Sequence, residues 1–187
     1  MRTLYPDRAD FPFPRLKACA GVALAAFFAM SAPAAWSQGH HAVSGTLVDA
    51  VRGAIAPFAD VGTATHAGYQ QFLGCVSGPD HGAMGIQYVK GVGATLDVHT
   101  PQALIYEPKN GRLELVGAEY IVIADAWDAA NPGAPPTLMG QVLNYVGGPN
   151  RYGIPAFYEL HVWAAKDNPS GTFADWNPQV SCAGYVP

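Results

Sequence analysis

The sequence predicts an α+β fold: N-terminal helices packed on one face of a curved, mainly antiparallel sheet of about six strands, or plugging an incomplete barrel made from those strands. Three observations predict it. Apolar residues recur at helical spacing only over 47–72, and from residue 83 onward they fall in short strand-like segments. The links between those segments are short and rich in Gly, Pro and Asn, which favours antiparallel neighbours.

The first 37 residues stand apart. Arg2, Arg8, Arg15 and Lys17 precede an apolar run over 18–30, and small residues follow at Ala32, Ala34, Ala35 and Ser37. This is the layout of a secretory signal peptide. The run is too short for a transmembrane helix, which needs about 20 residues. Cleavage after Ser37 leaves one domain, 38–187, with no second apolar span, expected in the periplasm or the medium. That domain holds six basic and twelve acidic side chains. An acidic surface without a Lys/Arg cluster argues against nucleic acid or an anionic membrane as partner. Cys19 lies in the leader, while Cys75 and Cys182 remain, neither in a C-x-x-C pair. An even pair bound for an oxidising compartment predicts a disulfide.

Residues 38–45 are polar and read as loose. Leu47, Val48, Val51, Ile55 and Phe58 then form one helical face, with Ser44 or Thr46 as cap and Pro57 in the last turn. Asp60 caps a second helix with Val61, Ala64, Thr65, Gly68, Tyr69 and Phe72 on one face, and His66 solvated off it. A loop over 77–82 holds His81. Strands are predicted over 83–90, 103–107, 112–116, 118–125, 138–145 and 156–166, and a Pro/Ala-rich loop holding Trp127 over 125–136. Asn110-Gly111 between apolar runs is a strong hairpin signal, because both residues accept positive φ.

The last strand carries the chemistry. Alternation in AFYELHVWAAK puts Tyr158, Leu160, Val162 and Ala164 on a core face and Glu159, His161 and Trp163 on the other. In 118–125, Glu119 shares its face with Ile121 and Ile123, an apolar setting in which a carboxylate needs a partner. His161, Glu119, Glu159, Gln87 and His81 therefore form a candidate pocket over the sheet. His161 and Glu119 are its candidate ligands for a divalent metal such as Zn or Cu. The competing reading makes His161 a satisfied half-buried histidine, Glu119 an ion-paired strand residue and His81 a surface turn residue. Separately, cleavage after Ser37 would start the chain Gln38-Gly39-His40, whose amine, two amides and imidazole can chelate Cu(II) in a plane. G-x-S-x-G, H-E-x-x-H, P-loop and Rossmann fingerprints are all absent from the sequence.

The runs Gly82-Ala83-Met84-Gly85, Leu104-Ile105-Tyr106-Glu107-Pro108, Leu115-Val116-Gly117-Ala118-Glu119-Tyr120 and Leu160-His161-Val162-Trp163 continue through Asp167-Asn168-Pro169, Gly171, Phe173, Trp176-Asn177-Pro178 and Val180-Ser181-Cys182. Together they resemble a family of small, uncharacterised secreted bacterial proteins. The resemblance covers most of the mature chain and implies no activity. Similar chains often carry His at the position of Gln87 and another near Asn144, so the resemblance implies that a metal or proton-transfer site built on those positions is altered here, with Gln87 and Asn144 able to hydrogen-bond a ligand.

These observations support a pocket protein that binds a small molecule or metal through Glu119, His161, Trp163 and their neighbours Gln87, His81, Glu159 and Asn144. The alternatives are an enzyme using His161 as acid or base with Glu119 or Glu159 orienting it, and a structural or partner-binding module whose Trp127, Trp163 and Trp176 serve packing.

Overall fold

The computed structural model describes residues 37–187, with side chains from residue 45 onward. Residues 1–36 of the predicted 37-residue signal peptide and the His40 side chain of the conditional copper site lie outside the described residues. Among the described residues, no helix is long and apolar enough to cross a membrane.

Helix α1 (Ser37–Ile55) buries Leu47, Val51 and Ile55, spaced four apart on one face. It starts earlier than expected: 38–45 are helical rather than loose, so Ser44 and Thr46 lie inside the helix instead of capping it. Pro57 cannot donate to a continuing helix, and a single 3₁₀ turn, Ala56–Phe58, follows. Helix α2 (Val61–His66) is capped as predicted, with Asp60 accepting the Thr63 N–H at 2.9 Å. It does not run on to Phe72. Gly68 takes φ +95° and turns the chain out of the helix, so β1 (Gln70–Gln71) joins a sheet edge instead.

Eight more strands follow: β2 (Val76–Gly78), β3 (Gly82–Val89), β4 (Ala103–Lys109), β5 (Arg112–Ile123), β6 (Thr137–Leu138), β7 (Gln141–Val142), β8 (Asn144–Val146) and β9 (Phe157–Val162). The main sheet has seven strands, where about six are expected, in the order β1-β3-β4-β5-β9-β8 with β2 also on β3, all neighbours antiparallel. It is open, not a barrel, while β6 and β7 form a separate hairpin. Asn110 and Gly111, both at positive φ, make the predicted two-residue turn between β4 and β5.

The two strands predicted over 112–116 and 118–125 are one. Ile105 faces Gly117 and Tyr106 faces Leu115, which leaves Val116 as an extra residue in β5. This bulge shifts the alternation by one. Leu113 and Leu115 before it and Ala118, Tyr120 and Val122 after it thus all pack toward α1 and α2, while Glu119 and Ile121 point away. Gly117 is required by close approach, since a Cβ there would sit 2.6 Å from the Val162 carbonyl oxygen. Two further expectations are corrected. Residues 124–130, expected in a loop, form helix α3 (Ala124–Ala130), because ADAWDAA is alanine-rich and contains no Gly or Pro. The strand expected over 138–145 is interrupted where Met139 and Gly140 take φ +47° and +87° and close the β6–β7 hairpin. A left-handed methionine carries no turn signal.

The face toward the helices holds the main core: Leu47, Val51, Ile55, Leu104, Tyr106, Tyr120, Leu160 and Val162. Its buried tyrosines are satisfied, Tyr106 Oη donating to the Phe58 carbonyl and Tyr120 Oη to the Val98 carbonyl, each at 2.7 Å. The opposite face is covered by irregular chain. At one end the tail packs Val180 against Ala83, Ile105, Val116 and Trp163. At the other, Tyr152 and Ile154 pack with Ala103, Ile121 and Phe157.

The tail is fastened at several points. Asn177 bridges Ala83 through both backbone groups, Glu107 accepts the Ser181 N–H at 3.0 Å and pairs with Lys166, and the predicted Cys75–Cys182 disulfide is present with Cα atoms 5.6 Å apart. Gly82 makes the tail contact possible: it has φ +79°, and a Cβ there would sit 2.2 Å from the Asn177 carbonyl oxygen. Gly82→Ala adds a backbone clash to left-handed strain, so a loss of about 3 kcal/mol in urea unfolding is expected. An effect below about 1 kcal/mol would show that the tail does not hold this position.

Candidate functional site

Strand register assembles the site. Across β5 and β9, Glu119 stands opposite His161 and Ile121 opposite Glu159, and cross-strand partners share a face. On β9, Glu159 and His161 lie between Phe157 of one apolar cluster and Trp163 of the other. The result is a polar island enclosed by apolar packing. One ligand-capable atom each from Glu119, Glu159 and His161 falls within 4.8 Å of the others. All three side chains are buried, His161 completely.

The imidazole is flanked by carboxylates on both sides. Its Nε2 lies 3.8 Å from Glu119 Oε2 and its Nδ1 3.7 Å from Asp175 Oδ1. Both separations exceed hydrogen-bond length. Neither ring nitrogen has a hydrogen-bond partner among the described residues, although both are buried. Buried polar groups are nearly always paired, so this one calls for an explanation. Trp163 fixes the ring from beside it, stacked at 6.3 Å, while its own N–H donates to the Ala174 carbonyl at 2.6 Å.

Burial dominates the electrostatics. It raises Glu119 well above the usual carboxylate range, with the neighbouring Glu159 charge adding to the shift. It raises Glu159 to about 7 and lifts Asp175 as well. His161 is pushed down to about 4, again by burial. Among the described residues no lysine or arginine forms an ion pair with Glu119, Glu159 or Asp175. The two buried carboxylates, Glu119 and Glu159, are therefore left to protons or to a cation from outside for neutralisation, while Asp175 is partly exposed.

A small cavity adjoins the cluster. It measures ≈ 30 Å³ and is bounded by Glu119, Glu159, Gln87 and Tyr152 together with Met84, Ile121, Phe157 and other apolar residues. A much wider groove of ≈ 1280 Å³ near Arg52, Lys109, Arg112 and Tyr185 is lined by none of the candidate site residues.

Of the residues predicted from sequence, Glu119, Glu159 and His161 converge and Gln87 joins them at the cavity. Trp163 packs in the tail cluster and lies outside the cavity lining. His81 is exposed, its ring 6.4 Å from that of Trp176. Asn144 pairs with Glu159 in the β8–β9 ladder but is exposed on the edge strand. Two residues were missed, Asp175 and Tyr152. Both come from irregular segments in which no periodicity indicates direction, and only their composition as ligand-capable or hydrogen-bonding side chains could have marked them. No family model, curated protein or solved structure matches the chain.

Proposed function

We propose that this is a secreted or periplasmic protein that binds a divalent cation, zinc or copper, through Glu119, Glu159 and His161. One observation carries the reading: a completely buried imidazole with both nitrogens unpartnered sits among carboxylates that no basic side chain neutralises. A cation relieves both deficits at once, taking Nε2 as a ligand and cancelling the carboxylate charges. Oxygen and nitrogen donors lie ~2.0–2.2 Å from zinc, so ligands of one ion are roughly 3 to 4 Å apart. The 3.8 Å between His161 Nε2 and Glu119 Oε2 already meets that spacing. Asp175 Oδ1 stands 3.7 Å from the other nitrogen, beyond hydrogen-bond length but on the side from which outer carboxylates orient metal-binding imidazoles.

The cavity volume favours an ion over an organic molecule, since ≈ 30 Å³ holds only about two or three water-sized atoms. His161 is not among its walls, so the geometry supports a ligand role for the imidazole more than direct acid–base work on a substrate. The runs that resemble secreted bacterial proteins include Glu119 and His161, and membership of that family forms part of the same proposal. Metal analysis of untagged protein, followed by calorimetric titration with zinc and with copper, tests the reading. Stoichiometric uptake by the wild type is expected, and absence of both metals and of any binding heat overturns it.

The pH dependence has a definite sign. Glu119 and Glu159 have raised folded-state values, so the metal-free fold retains protons that the unfolded chain, with carboxyls near ~4.3, has released. That stability is complete below the unfolded value; the Glu159 share is lost as pH rises through about 7, and the Glu119 share as pH rises through its own raised value. His161, lowered to about 4, acts oppositely: its contribution is present above its unfolded value, near ~6.5, and is lost as pH falls toward about 4. Between ~6.5 and about 7 only the carboxyls operate. Metal-free protein should therefore melt lower at pH 8 than at pH 6.5. Saturating zinc should reverse the trend, because the ion binds the deprotonated ligands. Parallel melting curves at the two pH values, with chelator and with zinc, check both signs.

A further inference from the structure

The metal reading leaves one feature of the site unused, the cavity into which two of its three ligands open. Glu119 and Glu159 both line it, whereas His161 closes the cluster from behind. Three protein ligands do not complete the shell of a zinc or copper ion, and sites of that kind keep a position for water or substrate. The vacant position would face the cavity, because the protein atoms of the cluster occupy the other side. Resting on that reading, we infer that the bound metal keeps an exchangeable coordination position that takes water or a small anion of two or three heavy atoms, oriented by the Tyr152 hydroxyl and the Gln87 amide.

Three observations select this ligand class. The volume, ≈ 30 Å³, admits roughly two or three water-sized atoms and no larger molecule. The surrounding apolar walls are Phe72, Met84, Val89, Ile121, Ile154 and Phe157, which present no competing charge. The polar groups on those walls besides the two carboxylates are the Tyr152 hydroxyl and the Gln87 side chain, both able to donate to a metal-bound oxygen or nitrogen. Neither is committed elsewhere. Tyr152 Oη donates only to the Met84 sulfur at 3.4 Å, a weak acceptor that yields to an anion. The Gln87 side-chain amide makes no hydrogen bond among the described residues. The protein thus combines an open metal position with two donors beyond it, the arrangement of a reactive centre and not of a sealed structural ion.

The experiment uses cobalt(II) as a visible stand-in for zinc and azide as the small anion. Cobalt stoichiometry is measured first, then azide is titrated while the cobalt absorption bands are followed. The wild type is expected to bind one cobalt and to show a saturable azide-dependent band shift. Tyr152→Phe, which keeps the ring that packs on Phe157, should take up the same cobalt with about tenfold weaker azide affinity, and Gln87→Leu should behave alike. Cobalt bound at full stoichiometry with bands unmoved by azide overturns the exchangeable position and leaves the metal site standing. Azide binding undiminished in both variants overturns the assignment of the two donors. Failure to take up cobalt, zinc or copper removes the metal site itself, and this inference with it.

Discussion

Glu119→Gln is expected to abolish stoichiometric zinc or copper binding and, in the same protein, to raise the melting temperature of the metal-free form at pH 8. The two effects share one cause. Glu119 is buried in a setting that disfavours its charge, and Glu159, beside it, adds a like charge. In the absence of a cation, folding at pH 8 must either bury two carboxylates or hold protons against the bulk pH, and each proton-affinity unit so maintained is worth about 1.4 kcal/mol. The amide keeps the shape and removes that cost, but it is a poor ligand. Affinity should fall by more than the 10–100-fold typical of losing an outer hydrogen-bonding partner. Asp175→Asn, which alters only the group facing His161 Nδ1, should fall within that 10–100-fold range and leave stoichiometry intact. Opposite signs in binding and stability mark a site in which stability is given up for function. If Glu119→Gln lowered stability and left metal uptake unchanged, the carboxylate would be a structural group and the proposal would fail. Calorimetry and chelator-treated melts on the same preparations give both readings.

Loss of the Cys75–Cys182 bridge should cost about 4 to 5 kcal/mol, the value expected on the chain-entropy model for a loop of ~100 residues; the two cysteines are 107 positions apart. Small domains have roughly 5–15 kcal/mol in total, so this is a large share of the folding free energy. The consequence reaches the site. The bridge anchors the tail that carries Asp175 to His161 and lays Val180 against Trp163. Cys75→Ser with Cys182→Ser is expected to lower the urea midpoint and to weaken metal binding in the same direction as Asp175→Asn. A reduction in stability below about 1 kcal/mol would mean that Asn177, Ser181 and Lys166 hold the tail without the bridge. A stability loss with metal affinity unchanged would separate the tail from the site.

Much of the scaffold was legible before any coordinates. The four-residue spacing of Leu47, Val51 and Ile55, the Asp60 cap, the Asn110-Gly111 turn and the strand alternation around Leu160 each express a local rule that distant residues do not alter. Where a segment followed its local signal the structure follows it too. Where it carried no local signal, as at Met139, or where a helix-favouring run was read together with the Pro-rich residues that follow it, as at α3, the expectation and the structure part.

For the site, the division is sharper. Alternation alone puts Glu159, His161 and Trp163 on one face and marks Glu119 as a carboxylate in apolar company, because side-chain direction in a strand is set by position parity. Parity does not say which strands become neighbours, what covers a face, or where an extra residue shifts the phase. The β5–β9 register brings Glu119 opposite His161, and the Val116 bulge turns Glu119 away from the helices. The tail and the loop carrying Tyr152 seal the face that sequence left open. Those are long-range pairings and irregular segments, whose geometry depends on the whole chain closing on itself. From the sequence alone came the candidate chemistry, a carboxylate and an imidazole on two apolar strands. The tertiary structure decided that these groups meet, that they are cut off from water, and that His81 and Asn144 are left outside, because burial and cross-strand contact are properties of packing and not of local order.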